Sequence, residues 1–220
     1  MSFETNKILG TIGALLIVFE TISVAIGNYI YGLDRYGVPD YGIIIIVGII
    51  CILISLYNLA NFYQAKKIFT NAFLGAVSSI IAIVIGVYAV LSAASPKLYL
   101  STTTSEAYGA SLLCIFIVCL IVAAFFVRHS LLELANQSGT NEFAIAGQII
   151  TGGTAFFIIS IVVTFLMSLL VSYNIIDIVS VFVSFGVIAI VVTCLTLAIG
   201  FAKTKKTREC SLKYAYCCVL

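Results

Sequence analysis

Five stretches of the chain carry no charged residue, at 41–65, 68–96, 107–127, 143–176 and 178–202, and a sixth at 8–33 is interrupted only by Glu20. A helix needs about 20 apolar residues to cross a hydrocarbon core of roughly 30 Å, so each stretch is long enough to span a bilayer. The pattern predicts six transmembrane helices, near 8–31, 41–60, 70–93, 108–128, 145–171 and 177–201. Backbone groups in lipid must be satisfied within the segment, which leaves helices or a closed barrel. Barrel strands alternate apolar and polar positions, and neither Ile43-Ile44-Ile45-Ile46 nor the run 158–165 does so. The expected fold class is therefore all-α, an integral membrane bundle of six helices.

Composition agrees. Of the 220 residues 62% are apolar and 9% charged, where a soluble domain carries about a quarter charged residues. That excludes a soluble enzyme, a nucleic-acid binder and a disordered chain. A formal net charge of +2 suggests no polyanionic partner, so the placement of charge carries the information. Six spans put Lys7, Lys66, Lys67, Arg128, Lys203, Lys205, Lys206, Arg208 and Lys213 on one side and leave Arg35 and Lys97 on the other. The positive-inside rule then makes both termini cytoplasmic. Tyr29, Tyr31, Tyr36, Tyr41, Tyr99, Tyr108 and Tyr173 fall near the outer interface, where an amphipathic ring is favoured. The organisation expected is a transmembrane domain over 1–202 and a basic cytoplasmic tail over 203–220, in the cell membrane. Ser23-Val24-Ala25 has the small residues of a signal-peptide cleavage site, but Glu20 breaks the apolar region such a peptide needs. The first helix is read as uncleaved.

Cys51, Cys114, Cys119 and Cys194 lie in predicted spans and Cys210, Cys217 and Cys218 in the tail, so no disulfide framework is expected. The four membrane cysteines read as small apolar fillers. Cys217-Cys218-Val219-Leu220 fits a prenylation pattern, for which a six-span protein has no need. Cys217-Cys218 alone is too few ligands for a metal site. Asn136-Gln137-Ser138 is a glycosylation sequon on an expected cytoplasmic loop, where it goes unused.

Two of the cytoplasmic connections share a pattern. Ser55-Leu56-Tyr57-Asn58-Leu59-Ala60-Asn61 leads out of the second span and Ser130-Leu131-Leu132-Glu133-Leu134-Ala135-Asn136 out of the fourth. Helices 2 and 3 would then repeat as helices 4 and 5, a parallel repeat about an axis along the membrane normal. Chance matching in a chain rich in Leu, Ala and Ser is the competing explanation.

Further short motifs carry a family resemblance. Phe126-Val127-Arg128-His129-Ser130, then Leu134-Ala135, Ser138-Gly139, Phe143 and Ala146-Gly147, followed by two long apolar spans, resemble a family of archaeal and bacterial multi-pass membrane proteins with a domain of unknown function. Lys7-Ile8-Leu9-Gly10, Ile12-Gly13-Ala14-Leu15 and Ile68-Phe69 are similar to its opening. The resemblance implies a membrane and a fold, and transfers no catalytic residue. The stretch from Lys203 onward lies outside it.

Little in the chain points to catalysis. There is one His and no Trp, and no Cys-x-x-Cys, His-Glu-x-x-His or phosphate-cradling Gly loop is present, so neither an enzyme nor a metal or other cofactor is expected. His129, beside Arg128, reads as an interfacial residue. Small residues recur at four-residue spacing: Gly10 with Ala14, Gly75 with Ser79, and Gly147 with Thr151 and Ala155. That spacing places them on one helix face, where they let membrane helices approach closely.

Glu20 is the sharper feature, about midway along the first span with no Lys, Arg or His at comparable depth. Desolvation opposes its charged form, so it is expected to sit protonated or to face a wet cavity. Ser23 follows on the same helix face. A neutral packed carboxyl and a proton or cation site both accommodate these facts. Asp177, Ser180 and Ser184 form a second polar stripe, and an acid in a helix's first turn is already accounted for by the helix dipole.

Two functional readings follow. One is a small transporter or channel for ions or small solutes, motivated by Glu20 and the repeat. The other is a non-catalytic structural or interaction protein of the membrane, whose basic tail would meet anionic lipid head groups or a cytoplasmic partner.

Overall fold

A computed structural model describes residues 2–31, 42–94, 102–170 and 175–204. They form six helices, α1 (Phe3–Tyr31), α2 (Gly42–Phe62), α3 (Lys66–Ala94), α4 (Thr102–Ser138), α5 (Asn141–Leu170) and α6 (Ile175–Lys203), with no strand among the described residues. All six are long and apolar enough to cross a membrane. The number and order of spans agree with the charge-free stretches. The ends do not, because a charged residue ends the lipid-covered part of a helix without ending the helix.

α4 makes the point. Arg128 and Glu133 lie inside it, and the Asn136-Gln137-Ser138 stretch expected in a loop is its last turn. The connection to α5 shrinks to Gly139-Thr140, and that from α2 to α3 to Tyr63-Gln64-Ala65. Both are closed by left-handed caps. Gln64 has φ 55° and Gly139 φ 66°. The Ala65 N–H donates to the Ala60 carbonyl at 2.9 Å and the Gln64 N–H to the Asn61 carbonyl at 3.2 Å, a Schellman pair. In the second cap the Gly139 N–H donates to the Ala135 carbonyl at 2.9 Å. At the chain's start Ser2 caps α1, its hydroxyl accepting from the Thr5 N–H.

The helices form a ring in chain order. Each packs on its sequence neighbours, and α1 closes the ring against α6. The α1–α6 contact sets Thr11 beside the Ala198 carbonyl and Gly10 beneath the Phe201 ring, so the start of α1 and the end of α6 share one end of the bundle. Lys7, Lys66, Lys67, Arg128 and Lys203 belong to that basic end. Its core draws on all six helices, with Ala14, Leu59, Ile68, Leu134, Phe143 and Phe201 fully enclosed. Phe143 and Phe201 meet edge to face, with centroids 5.2 Å apart.

Hydroxyls in these helices mostly satisfy themselves. Thr21, Ser79, Ser138, Thr151, Ser160 and Thr204 each donate to the carbonyl four residues back, a sink that costs the tertiary structure nothing. Two fully buried serines instead donate across the bundle. Ser55 of α2 bonds the Asn6 carbonyl of α1 at 2.8 Å, and Ser130 of α4 bonds the Ile68 carbonyl of α3 at 2.7 Å.

Candidate functional site

Glu20 is the eighteenth residue of α1, on the face that packs inward with Gly13, Ile17 and Val18. It is 2% exposed. Its Oε1 has no hydrogen-bond partner. Burying a polar atom in this way forfeits its hydration with nothing in return. On the preceding turn of α1, Ile17 and Val18 cluster with Cys194 of α6, and Ile52 and Val191 pack against them.

The neighbouring helix is held close by glycine. A Cβ added at Gly13 would stand 2.7 Å from the Gly48 carbonyl oxygen of α2, and one at Gly48 would stand 2.7 Å from Ile17. These two backbones touch seven residues before Glu20, about two turns along α1.

Ser23 is not brought to the carboxyl. Its hydroxyl donates to the Phe19 carbonyl of its own helix at 2.8 Å. Asp177, Ser180 and Ser184 fall on the first turns of α6, and their side chains lie outside the described residues, as do Arg35, Lys97 and the tail from 205 onward with its three cysteines. The other four cysteines are free thiols. Among the described residues no group of three His, Cys, Asp or Glu side chains could hold a metal.

The small-residue positions divide. Gly10 and Ala14 are buried against α2 and α6, and Gly75 lies against the α4 backbone at Ala123 and Val127. Gly147 sits beside the aliphatic stem and backbone of Arg128, an exposed residue. Ser79 and Thr151 are half-buried and donate to the carbonyls of Gly75 and Gly147. Ala155 departs from the expected packing face: it is exposed, because the exposed stripe of α5 runs through Gln148, Gly152, Ala155 and Ile159. His129 is exposed and stacks edge-on against Phe125, centroids 4.6 Å apart, as an interfacial ring would.

Two features escaped the sequence reading. Asn6 is 3% exposed with Oδ1 unpartnered, and nothing in its flank marks it out. Ser55 and Ser130 were in view as the first members of the shared seven-residue pattern, yet only the fold reveals that both bond another helix.

Comparison with known proteins adds a family and no chemistry. Residues 44–169 match the family described as "Protein of unknown function (DUF996)". An uncharacterised protein of Methanocaldococcus jannaschii is 25% identical over 163 residues, covering 72% of this chain and 82% of that protein. No solved structure matches the chain.

Proposed function

The chain belongs to the DUF996 family, whose description supplies no activity, and from the site itself we propose that the protein is a small transporter or channel for ions or small solutes. Its place is the cell membrane, with both termini cytoplasmic by the excess of Lys and Arg at the basic end. The observation that carries the reading is Glu20, a carboxyl enclosed at mid-span with an unpartnered oxygen. Ionisable residues at that depth are costly and mark ion or substrate paths by default.

A repeat with a period of two helices supports it. The seven-residue patterns at 55–61 and 130–136 bury the same positions, namely Ser55 and Ser130, Leu56 and Leu131, Leu59 and Leu134, and Ala60 and Ala135, and expose the last, Asn61 and Asn136. α6 offers a third copy in Thr193-Cys194-Leu195-Thr196-Leu197-Ala198-Ile199, with the same four positions buried and the last exposed. The preceding helices correspond too. Phe3–Gly10 and 65–72 follow one succession of half-buried, exposed and buried positions, and Gly13-Ala14 stands where α3 has Gly75-Ala76. α5 keeps the buried positions at Phe143 and Gly147 but has Ile150 where the others have glycine.

This register places Glu20 opposite Ala82, which is 1% exposed. The fold fills that position in α3 with a methyl group, so packing alone does not call for an acid there. A carboxyl kept at a position that an alanine satisfies elsewhere is best understood through what it binds.

The test is flux. Purified protein in liposomes is challenged with gradients of protons, alkali and divalent cations, anions and small neutral solutes, beside Glu20→Gln. Transport by the wild type that the variant lacks is expected. Equal flux in both, or none in either, would move the protein to the structural reading.

A further inference from the structure

We propose that the species bound at Glu20 is a proton and not a metal cation. The inference rests on the reading of Glu20 as a binding site and names its ligand. A metal ion leaving water needs a replacement shell, six to eight oxygens for Ca²⁺ and about six for Mg²⁺. Among the described side chains, the stretches of α2 and α6 that pack on this part of α1 do not offer one. α2 has no side-chain oxygen from Gly42 to Ile54, and α6 has none from Gly186 to Val192. Their carbonyls are engaged in their own helices. On α1 itself Thr21 and Ser23 donate to the carbonyls of Ile17 and Phe19, and Glu20 Oε1 receives no hydrogen bond from either. A single carboxylate facing these stretches is a shell of one ligand.

A proton asks for nothing more. Adding H⁺ to the carboxylate oxygen forms one O–H bond and leaves a neutral carboxyl, and releasing it restores the anion. No co-ligand moves. The other titratable groups on the two helices packed against α1 are few. From α2 they are Cys51 and Tyr57, the second exposed toward the basic end; from α6 they are Cys194, in the apolar cluster, and Lys203, at the basic end and paired with Glu142. Asp177, at the opposite end of α6, has its side chain outside the described residues.

A carbodiimide soluble in lipid reports the state directly, because it modifies carboxyls that are protonated in an apolar setting. Full-length protein in liposomes is labelled with dicyclohexylcarbodiimide across a pH series, with and without Na⁺, K⁺, Ca²⁺ or Mg²⁺, and the Glu20 peptide is examined by mass spectrometry. The expected result is an adduct at Glu20 that declines as pH rises and is indifferent to every metal ion. It is absent from Glu20→Gln and, should that variant fold poorly, from Glu20→Ala, which copies the residue α3 carries at Ala82. Protection by a metal ion at constant pH, or no adduct at any pH, would overturn the proposal. Metal-indifferent labelling without any flux would leave the proton site standing and refute transport. Sodium-driven flux with sodium-protected labelling would do the reverse.

Discussion

Gly13 and Glu20 show how much one side chain decides in a membrane helix. Close approach of α1 and α2 depends on the missing Cβ at Gly13, since the nearest atom it would meet is a backbone oxygen at 2.7 Å that cannot rotate away. Gly13→Ala should therefore cost about 1–3 kcal/mol by overpacking, read as a shift in the unfolding midpoint in mixed micelles. Gly152 is the control. Nothing lies within 4 Å of a Cβ there, so Gly152→Ala should be neutral or stabilise by about 0.5–1 kcal/mol through helix propensity. Equal losses at the two sites would remove close approach as the explanation. The small-residue spacing exposed Gly10 and Gly75 to sequence reading but missed Gly13 and Gly48, because each works with a partner on another helix instead of four residues along its own. Glu20 stood out in the sequence, being the acid alone in an apolar run; its unpartnered oxygen did not, since that depends on α2 and α6.

Among the elements, the existence of each helix was legible and its ends were not. Hydropathy measures where lipid stops, whereas a helix stops where a residue can enter the left-handed region and return the chain. Gly139 could be read that way from its type, and Gln64 could not. Because a non-glycine residue at positive φ costs about 1–2 kcal/mol, Gln64→Gly should stabilise α2's cap by up to about 1 kcal/mol, and Gly139→Gln should destabilise its counterpart. Opposite signs in one unfolding series are the expected outcome; destabilisation by both would mean that Gln64 is held by its side chain and not merely tolerated. The paired serines test the repeat. Ser55→Ala and Ser130→Ala each remove one interhelical hydrogen bond, worth about 0.5–1.5 kcal/mol, and similar losses are expected at both. A large loss at one and none at the other would break the equivalence of the two hairpins.

At the scale of the whole molecule, charge placement predicts the topology and packing predicts the ring. The sequence carried the first, since Lys and Arg counts need no coordinates; it carried no sign that α1 closes on α6, which depends on Gly10 meeting Phe201 across nearly the entire chain. Reporter fusions after Lys67, Arg128 and Lys206 should register cytoplasm and one after Lys97 the outside, and any fusion on the wrong side would remove the six-span arrangement. The proposed role of Glu20 is to carry a proton. Its most direct measurement is proton flux in liposomes containing a pH-sensitive dye, driven by a potassium diffusion potential. Wild-type protein should carry protons faster than empty liposomes, and Glu20→Gln, folded and with its unfolding midpoint changed by no more than about 1 kcal/mol, should fall to the empty-liposome rate. A variant as fast as the wild type, or a wild type no faster than lipid alone, would contradict proton movement through Glu20.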